Sequence, residues 1–496
     1  MSSDTEVPHG WRGTVCSIRI WSIFAVVAPG SSRSHRECTR AAPSTDEEEN
    51  VRRRARILAI VSVLALVAAA CAGDTTTTTA GGTPGTTAAT DTTVAAPSTT
   101  AAPSTTAEGS GDPIVVGGTL SLTGAFAATG AIHKLAGDMF VERLNAAGGL
   151  LGREVQWNLL DDESDTANVA PLYEQLISQD QVDLIMGPYA TPNILAAMPV
   201  AERYGYTLPQ HTAVLAPLMT YACQFPGWSI GPEPNSFIPN QIADALDSLD
   251  GAVSTVALLT NESGSTAFVS YGIADDPDDP STLNILPERG YEIVADIPYP
   301  PGYEDWGSTA AQVRDANADL VLMNGLGAEA NSLIEAMQQL DYTPPLMFAL
   351  FPAPGLLLGL GDAAQGTLSV SIFEPNEPIL EQMDPEVGEI VDEYAERAAA
   401  AQIPYTVFET QAAASWNAWE ILVQGVEGAG STDGQGICDS LHSTGADLTF
   451  SGAVTFDTAV NNFWETTEGL KQIQGSEWVM VWPEDIAAGA LVGPTG

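Results

Sequence analysis

Five consecutive residues, Gly227-Trp228-Ser229-Ile230-Gly231, spell G-x-S-x-G, the turn that lifts a nucleophilic serine between a strand and a helix, and His442 follows where a triad histidine could stand. Such an elbow needs a strand before the serine and a helix directly after it. Pro226 precedes the motif, and Pro232 and Pro234 follow it, where a proline has no N–H to give to a helix. Hydrolysis through Ser229 is therefore kept only as an alternative, and no catalytic residue is assigned. Metal chemistry has little support either. His211 has no second His or Cys at ligand spacing, and the acidic runs 161–165 and 275–279 lack the glycine and glutamate positions of a calcium loop. Those runs read as solvated loops and helix caps, and neither a metal nor a cofactor is expected.

The residues that could hold a ligand lie in two loops. Segment 114–118 is a short β-branched run ending in glycine, followed by a loop at 122–130, a helical stretch at 132–147 that stops at Gly148-Gly149, and a strand at 154–160. A second helix is expected at 167–179 and a third strand at 182–186, broken by Gly187-Pro188. Strand, helix, strand, helix, strand is the signature of a doubly wound parallel sheet. Ligands sit at the carboxyl ends of such strands, where loops enter helices. Here those loops are 122–130 and 187–193, with hydroxyls and backbone N–H groups able to hold a carboxylate. A second array follows, with strands at 254–259, 293–297, 320–323 and 346–350 and helices at 309–316 and 328–340. Two similar lobes are the natural consequence.

The segment 51–71, VRRRARILAIVSVLALVAAAC, has the layout of an export signal: arginines, a short apolar run, then small residues before Cys71. The apolar run is shorter than the roughly 20 residues needed to span a bilayer. Because it ends on a cysteine, it looks like a bacterial lipoprotein signal, with Cys71 as the lipidated first residue of the exported protein. A plain secretory signal is the simpler alternative. Residues 1–50 show no regular pattern, and translation is expected to start at Val51, where a GTG start codon would read as valine. Residues 72–111, rich in Thr, Ala, Pro and Gly, could not bury a core and read as a disordered tether.

The chain carries 63 Asp plus Glu against 17 Lys plus Arg, a formal charge of -46. Nucleic acid is excluded as a partner by that balance, and membrane contact is expected through the lipid anchor only. Beyond Cys71 the exported part has two cysteines, Cys223 and Cys438, and an even pair in an oxidising compartment favours a disulfide.

Several stretches in combination resemble the type 1 periplasmic-binding fold of the branched-chain amino-acid and amide receptors of ABC importers. They are the Leu-Thr-Gly loop at 122–124, the N-A-A-G-G-x-x-G-R turn at 145–153, GPYAT at 187–191, ERYGY at 202–206, DLVLMNG at 319–325 and EWVMVWP at 477–483. The resemblance implies an α/β protein of two doubly wound parallel-sheet lobes joined by a three-strand hinge. Lobe 1 would be 112–232 with 371–459, and lobe 2 would be 233–370 with 460–486. It implies a small polar solute, an amino acid of branched-chain type or an amide, held between closing lobes and delivered to the membrane subunits of a permease. A monomer is expected. A ligand-sensing lipoprotein without a transport role is the alternative.

Carried over residue by residue, Ala190 and Thr191 match the loop that grips a ligand carboxylate, beside Tyr189. Thr212 and Ala213 match the second gripping loop, with His211 beside them as a cleft-lining residue. Phe126 and Thr129 stand in the first loop, where an aromatic flanks the ligand, and Leu326 stands near a second-lobe aromatic of the relatives. Thr191 could instead simply cap its helix, and Phe126 could be core. The resemblance also implies the Cys223–Cys438 pairing, because the topology returns the chain to the first lobe before Cys438. One departure matters. The segment LMFALFPAP at 346–354 has no acid where relatives meet a ligand ammonium. Either Glu262 or Glu329 substitutes, or the ligand is not an ordinary amino acid, since an unpartnered buried ammonium is costly.

Overall fold

The computed structural model describes residues 111–273, 278–465 and 468–494. The extension 1–50, the signal with Cys71, the tether up to residue 110 and part of the second acidic run lie outside the described residues. All described residues belong to one compact unit, and none of their helices is long and apolar enough to cross a membrane.

The first lobe is built on β1 (Ile114–Leu120), flanked by β2 (Val155–Asp161) and β3 (Leu184–Met186) in the order β2-β1-β3, all parallel. β4 (Leu208–Gln210) and β5 (Gln224–Pro226) form a parallel pair beside them. The Gly187 N–H donates to the Pro209 carbonyl at 2.7 Å and ties β4 to the end of β3. Only glycine permits that approach, because a Cβ at position 187 would stand 2.8 Å from the Gln210 Cβ.

The second lobe holds β6 (Thr255–Asn261), β7 (Glu292–Tyr299), β8 (Leu320–Gly327), β9 (Leu346–Pro352) and β10 (Leu368–Ser371), parallel in the order β10-β9-β8-β6-β7. Their sequences report their places. Leu320 to Gly325 of the central β8 are all buried, whereas the edge strand β7 alternates between half-buried and exposed positions along most of its length. A small ribbon of β11 (Ala446–Leu448) and β12 (Gly452–Val454) packs in the first lobe. The chain then returns to the second sheet as antiparallel β13 (Gly469–Gln474) and β14 (Glu477–Trp482). The Cys223–Cys438 disulfide is formed in the first lobe.

Three segments cross between the lobes, at about 227–233, at 372–376 and after Trp464, and side-chain bonds brace them. The Ser229 hydroxyl donates to the Trp464 carbonyl at 2.6 Å, and the Trp228 indole donates to Glu468 at 3.1 Å. Lys471 reaches Glu374 at 2.5 Å and Glu409 at 3.4 Å, all three side chains being buried.

The boundaries differ from the expected ones at two places. Phe463 and Trp464 pack in first-lobe cores, and the Asn462 amide donates to the Ala222 and Gln224 carbonyls, both at 2.8 Å, so the last crossing comes after 464 rather than at 460. The second lobe also runs past 486, since Gln472 and Gln474 bond the carbonyls of Val492 and Ala490. In addition, the first helix spans Ala127–Ala146 and begins five residues before the expected 132. Gly130, which reads as a loop residue, is a helical one required for contact: a Cβ there would overlap the Ser121 carbonyl.

Candidate functional site

A cavity of about 600 Å³ opens between the lobes at the carboxyl ends of the parallel strands. On the first-lobe wall, the turn after β3 places Ala190 at φ 73°, ψ 140°, a conformation that non-glycine residues rarely adopt, at a cost of about 1–3 kcal/mol. Backbone held in this way aims the next residue. Thr191 begins the helix Thr191–Tyr204, but its hydroxyl does not cap that helix. It accepts the Val214 N–H at 3.0 Å, which leaves the hydroxyl proton to donate elsewhere. Thr212, also on the wall and only 5% exposed, has an Oγ1 with no hydrogen-bond partner. Ala190, Thr191 and Thr212 thus offer neutral donors to one end of a ligand.

The acidic run that follows β2 holds this wall in shape. Asp162, fully buried, accepts from the hydroxyls of Ser121 at 2.6 Å and Thr119 at 3.2 Å and from the Asn193 amide at 3.4 Å, which pins the two loops together. Burial pushes its carboxyl up, against the pull of these bonds. Asp161 bonds the Leu122 and Thr123 N–H groups, and Asp165 caps the next helix. The run therefore caps as expected, but Asp162 is not solvated: it is a buried brace between the two loops.

Phe126 and Tyr189 line the cavity edge to face, with ring centroids 5.9 Å apart. Burial pushes the Tyr189 phenol up to about 12, against its bond to Thr129. Thr129 itself does not line the cavity and acts on it through Tyr189. Leu326 lines the second-lobe wall. His211 and Ala213 do not reach the cavity: both are buried behind the wall, and His211 packs on His133 with centroids 4.7 Å apart. Burial pushes His211 down to about 3, so the imidazole is neutral. His133 is likewise held well below its ordinary range by burial and by His211, and it bonds Gln411, a cavity residue, at 3.1 Å.

Of the two acids that could face a ligand ammonium, Glu329 lines the cavity and Glu262 does not. The Glu329 carboxylate accepts from the Asn261 amide at 2.5 Å, the Tyr299 hydroxyl at 2.8 Å and the Leu326 N–H at 2.8 Å. Burial raises its pKa, and those three donors pull it back. Gly325 makes room for the contact, since a Cβ there would lie 2.7 Å from the Tyr299 oxygen and 2.9 Å from Glu329 Oε2. Among the described residues, no Lys, Arg or His lines the cavity.

Trp228, Asn261, Tyr303, Trp306, Phe351 and Gln411 also line it and were not among the expected residues. Trp228 belongs to the G-x-S-x-G pentapeptide, and Phe351 to the segment 346–354 that has no acid. The serine of that pentapeptide is not poised for attack. Ser229 is 2% exposed and spends its proton on Trp464, while His442 bonds Asn462 at 3.0 Å and packs on Phe225. No group of three or more His, Cys, Asp or Glu able to hold a metal occurs among the described residues.

A family model described as periplasmic binding protein matches residues 113–467. The chain belongs to this family. Solved structures show the same two-lobe fold for this periplasmic binding protein. The leucine-binding protein LivK of Thermotoga maritima is 18% identical with a TM-score of 0.62, covering 74% of this chain and 97% of its own. The branched-chain amino acid transporter substrate-binding protein LivJ of Streptococcus pneumoniae, solved with isoleucine, is 20% identical with a TM-score of 0.61, covering 77% and 100%. An ABC-transporter solute-binding protein of Rhodopseudomonas palustris, solved with benzoate, is 17% identical with a TM-score of 0.60, covering 77% and 97%. The family and these neighbours are solute-binding receptors rather than enzymes.

Proposed function

We propose that this protein is an extracytoplasmic receptor that captures a small solute, an amino acid or amide, between its lobes and hands it to the membrane subunits of an ABC importer. The observation that carries the reading is the polarity of one cavity across two lobes. Neutral donors at Ala190, Thr191 and Thr212 stand on one wall and the Glu329 carboxylate stands on the other. A carboxylate or amide oxygen of the solute meets the first wall, and a nitrogen meets Glu329. A ligand touching both walls favours the closed arrangement of the lobes in proportion to its extra contacts there. In this reading lipidated Cys71 holds the receptor at the outer face of the membrane, the tether lets it reach the permease, and it works as a monomer.

The test is a thermal-shift and calorimetric screen of the protein against amino acids, amides, urea, polyamines and short carboxylates. A solute at 100 times its Kd stabilises the fold by about 2.7 kcal/mol. Binding that is lost in Thr191→Val supports the reading. Absence of binding across the whole panel refutes it. Mass spectrometry of the membrane-extracted protein tests the anchor: a diacylated Cys71 at the N-terminus is expected, and an N-terminus upstream of it overturns that part.

A further inference from the structure

The cleft holds more aromatic surface than a small aliphatic solute requires. Six aromatic side chains line it as three edge-to-face pairs, drawn from both lobes and one crossing segment. Phe126 and Tyr189 come from the first lobe, with centroids 5.9 Å apart. Trp228 comes from a crossing segment and meets Phe351, at the end of β9, at 5.8 Å and 89°. Tyr303 and Trp306, from the loop after β7 and the helix it enters, meet at 5.2 Å and 89°. Ring faces carry partial negative charge and attract a cation, and ring edges and faces pack well against a further ring. Among the described residues Glu329 is the only carboxylate that lines the cavity, and no Lys, Arg or His lines it to offset that charge. A bare anion gains only neutral donors here, and an aliphatic solute makes no ring-to-ring contact with these pairs.

Resting on the receptor reading above, we infer that the solute carries an aromatic ring and a cationic nitrogen in one molecule, the nitrogen at Glu329 and the ring against the Trp228–Phe351 pair. Aromatic amino acids and arylalkylamines share this chemistry. They differ only in whether a carboxylate also occupies the Thr191–Thr212 wall.

The experiment is calorimetry of the full-length protein in detergent with four probes, L-phenylalanine, phenethylamine, L-leucine and benzoate, followed by tryptophan fluorescence of the complexes. Binding of L-phenylalanine or phenethylamine at least tenfold tighter than L-leucine and benzoate is expected, with a change in tryptophan emission through Trp228 or Trp306. If L-phenylalanine alone binds, the solute is an amino acid, and if phenethylamine binds as well or better, it is an amine. Glu329→Gln should weaken the ring-bearing cations at least tenfold while leaving benzoate unaffected. Phe351→Leu should narrow the preference for L-phenylalanine over L-leucine, with an unchanged melting temperature showing that the fold is intact. L-leucine or benzoate binding as tightly as the ring-bearing cations overturns the inference and leaves the receptor reading standing. So does a ringless solute from the wider panel that binds when neither ring-bearing cation does. Silence across that whole panel overturns both.

Discussion

The buried polar groups at the crossing between the lobes and those in the cleft are finished differently. At the crossing between the lobes, Lys471 is neutralised by Glu374 and Glu409, while Glu374 also accepts from Ser371 at 3.0 Å and Glu409 from the Gln411 N–H at 3.0 Å. Burial works against the charge on Lys471, but the two carboxylates outweigh it and hold the amine above its ordinary range. In the cleft, Glu329 has only neutral donors and the Thr212 hydroxyl has no partner at all. A polar centre closed on itself maintains a shape. One left incomplete keeps its remaining bonding capacity for something that arrives, because an unsatisfied buried group costs about 1–3 kcal/mol until it is met.

The contrast can be broken most forcefully at the crossing. Lys471→Met should destabilise the fold by about 3–5 kcal/mol, because it leaves two buried carboxylates facing each other. Urea unfolding measures this, and Lys471→Met combined with Glu374→Gln should recover part of the loss. If the single variant is as stable as the parent, the triad is not the closed structural unit described. Thr191→Val removes the acceptor of a buried N–H and should cost about 1–2 kcal/mol of stability as well as solute affinity.

A pH titration sharpens the comparison at Glu468, where burial raises the carboxyl to about 8 from an ordinary 4.5, against the Trp228 indole bond and nearby Lys471. A raised acid is protonated in the fold where it would be ionised in the unfolded chain. Stability should therefore fall as pH rises from 4.5 to 8 and level off above that window, and Glu468→Gln should flatten the decline. The smallest effect belongs to the cleft. Thr212→Val should leave the solute-free protein equally stable or up to about 1 kcal/mol more stable, yet weaken solute binding. A clear loss of stability in that variant would place the hydroxyl among the finished centres.

The alternating array of strands and helices was legible because each parallel strand is a short apolar run closed by a turn signal. The turn at Ala190 and Thr191, expected from its GPYAT setting to face a ligand, lines the cleft. The second loop was read only in part. The loop just past β4 divides its residues between two surroundings, so Thr212 lines the cleft while His211 and Ala213 are buried behind it. Glu262 and Glu329 could not be separated in the sequence, because each stands just beyond a strand of the same sheet. What separates them is the cradle of Asn261, Tyr299 and Gly325, three residues brought together from three neighbouring strands. The aromatic lining was missed for the same reason, since Trp228, Tyr303 and Phe351 come from segments far apart in the chain.

The buried amine at the crossing also determines how the protein can be handled. The sequence contains only two lysines, Lys134 and Lys471. The Lys471 side chain is 4% exposed and tied into its triad, while that of Lys134 is 45% exposed on the first helix of the first lobe. Amine-directed dyes and surface-coupling reagents therefore have one side chain to find. With the terminal amine, which also reacts and titrates at about 8, blocked beforehand, a fluorophore or sensor chip attached that way would sit at a known address on the first lobe, and the molecules on the surface would present their clefts alike.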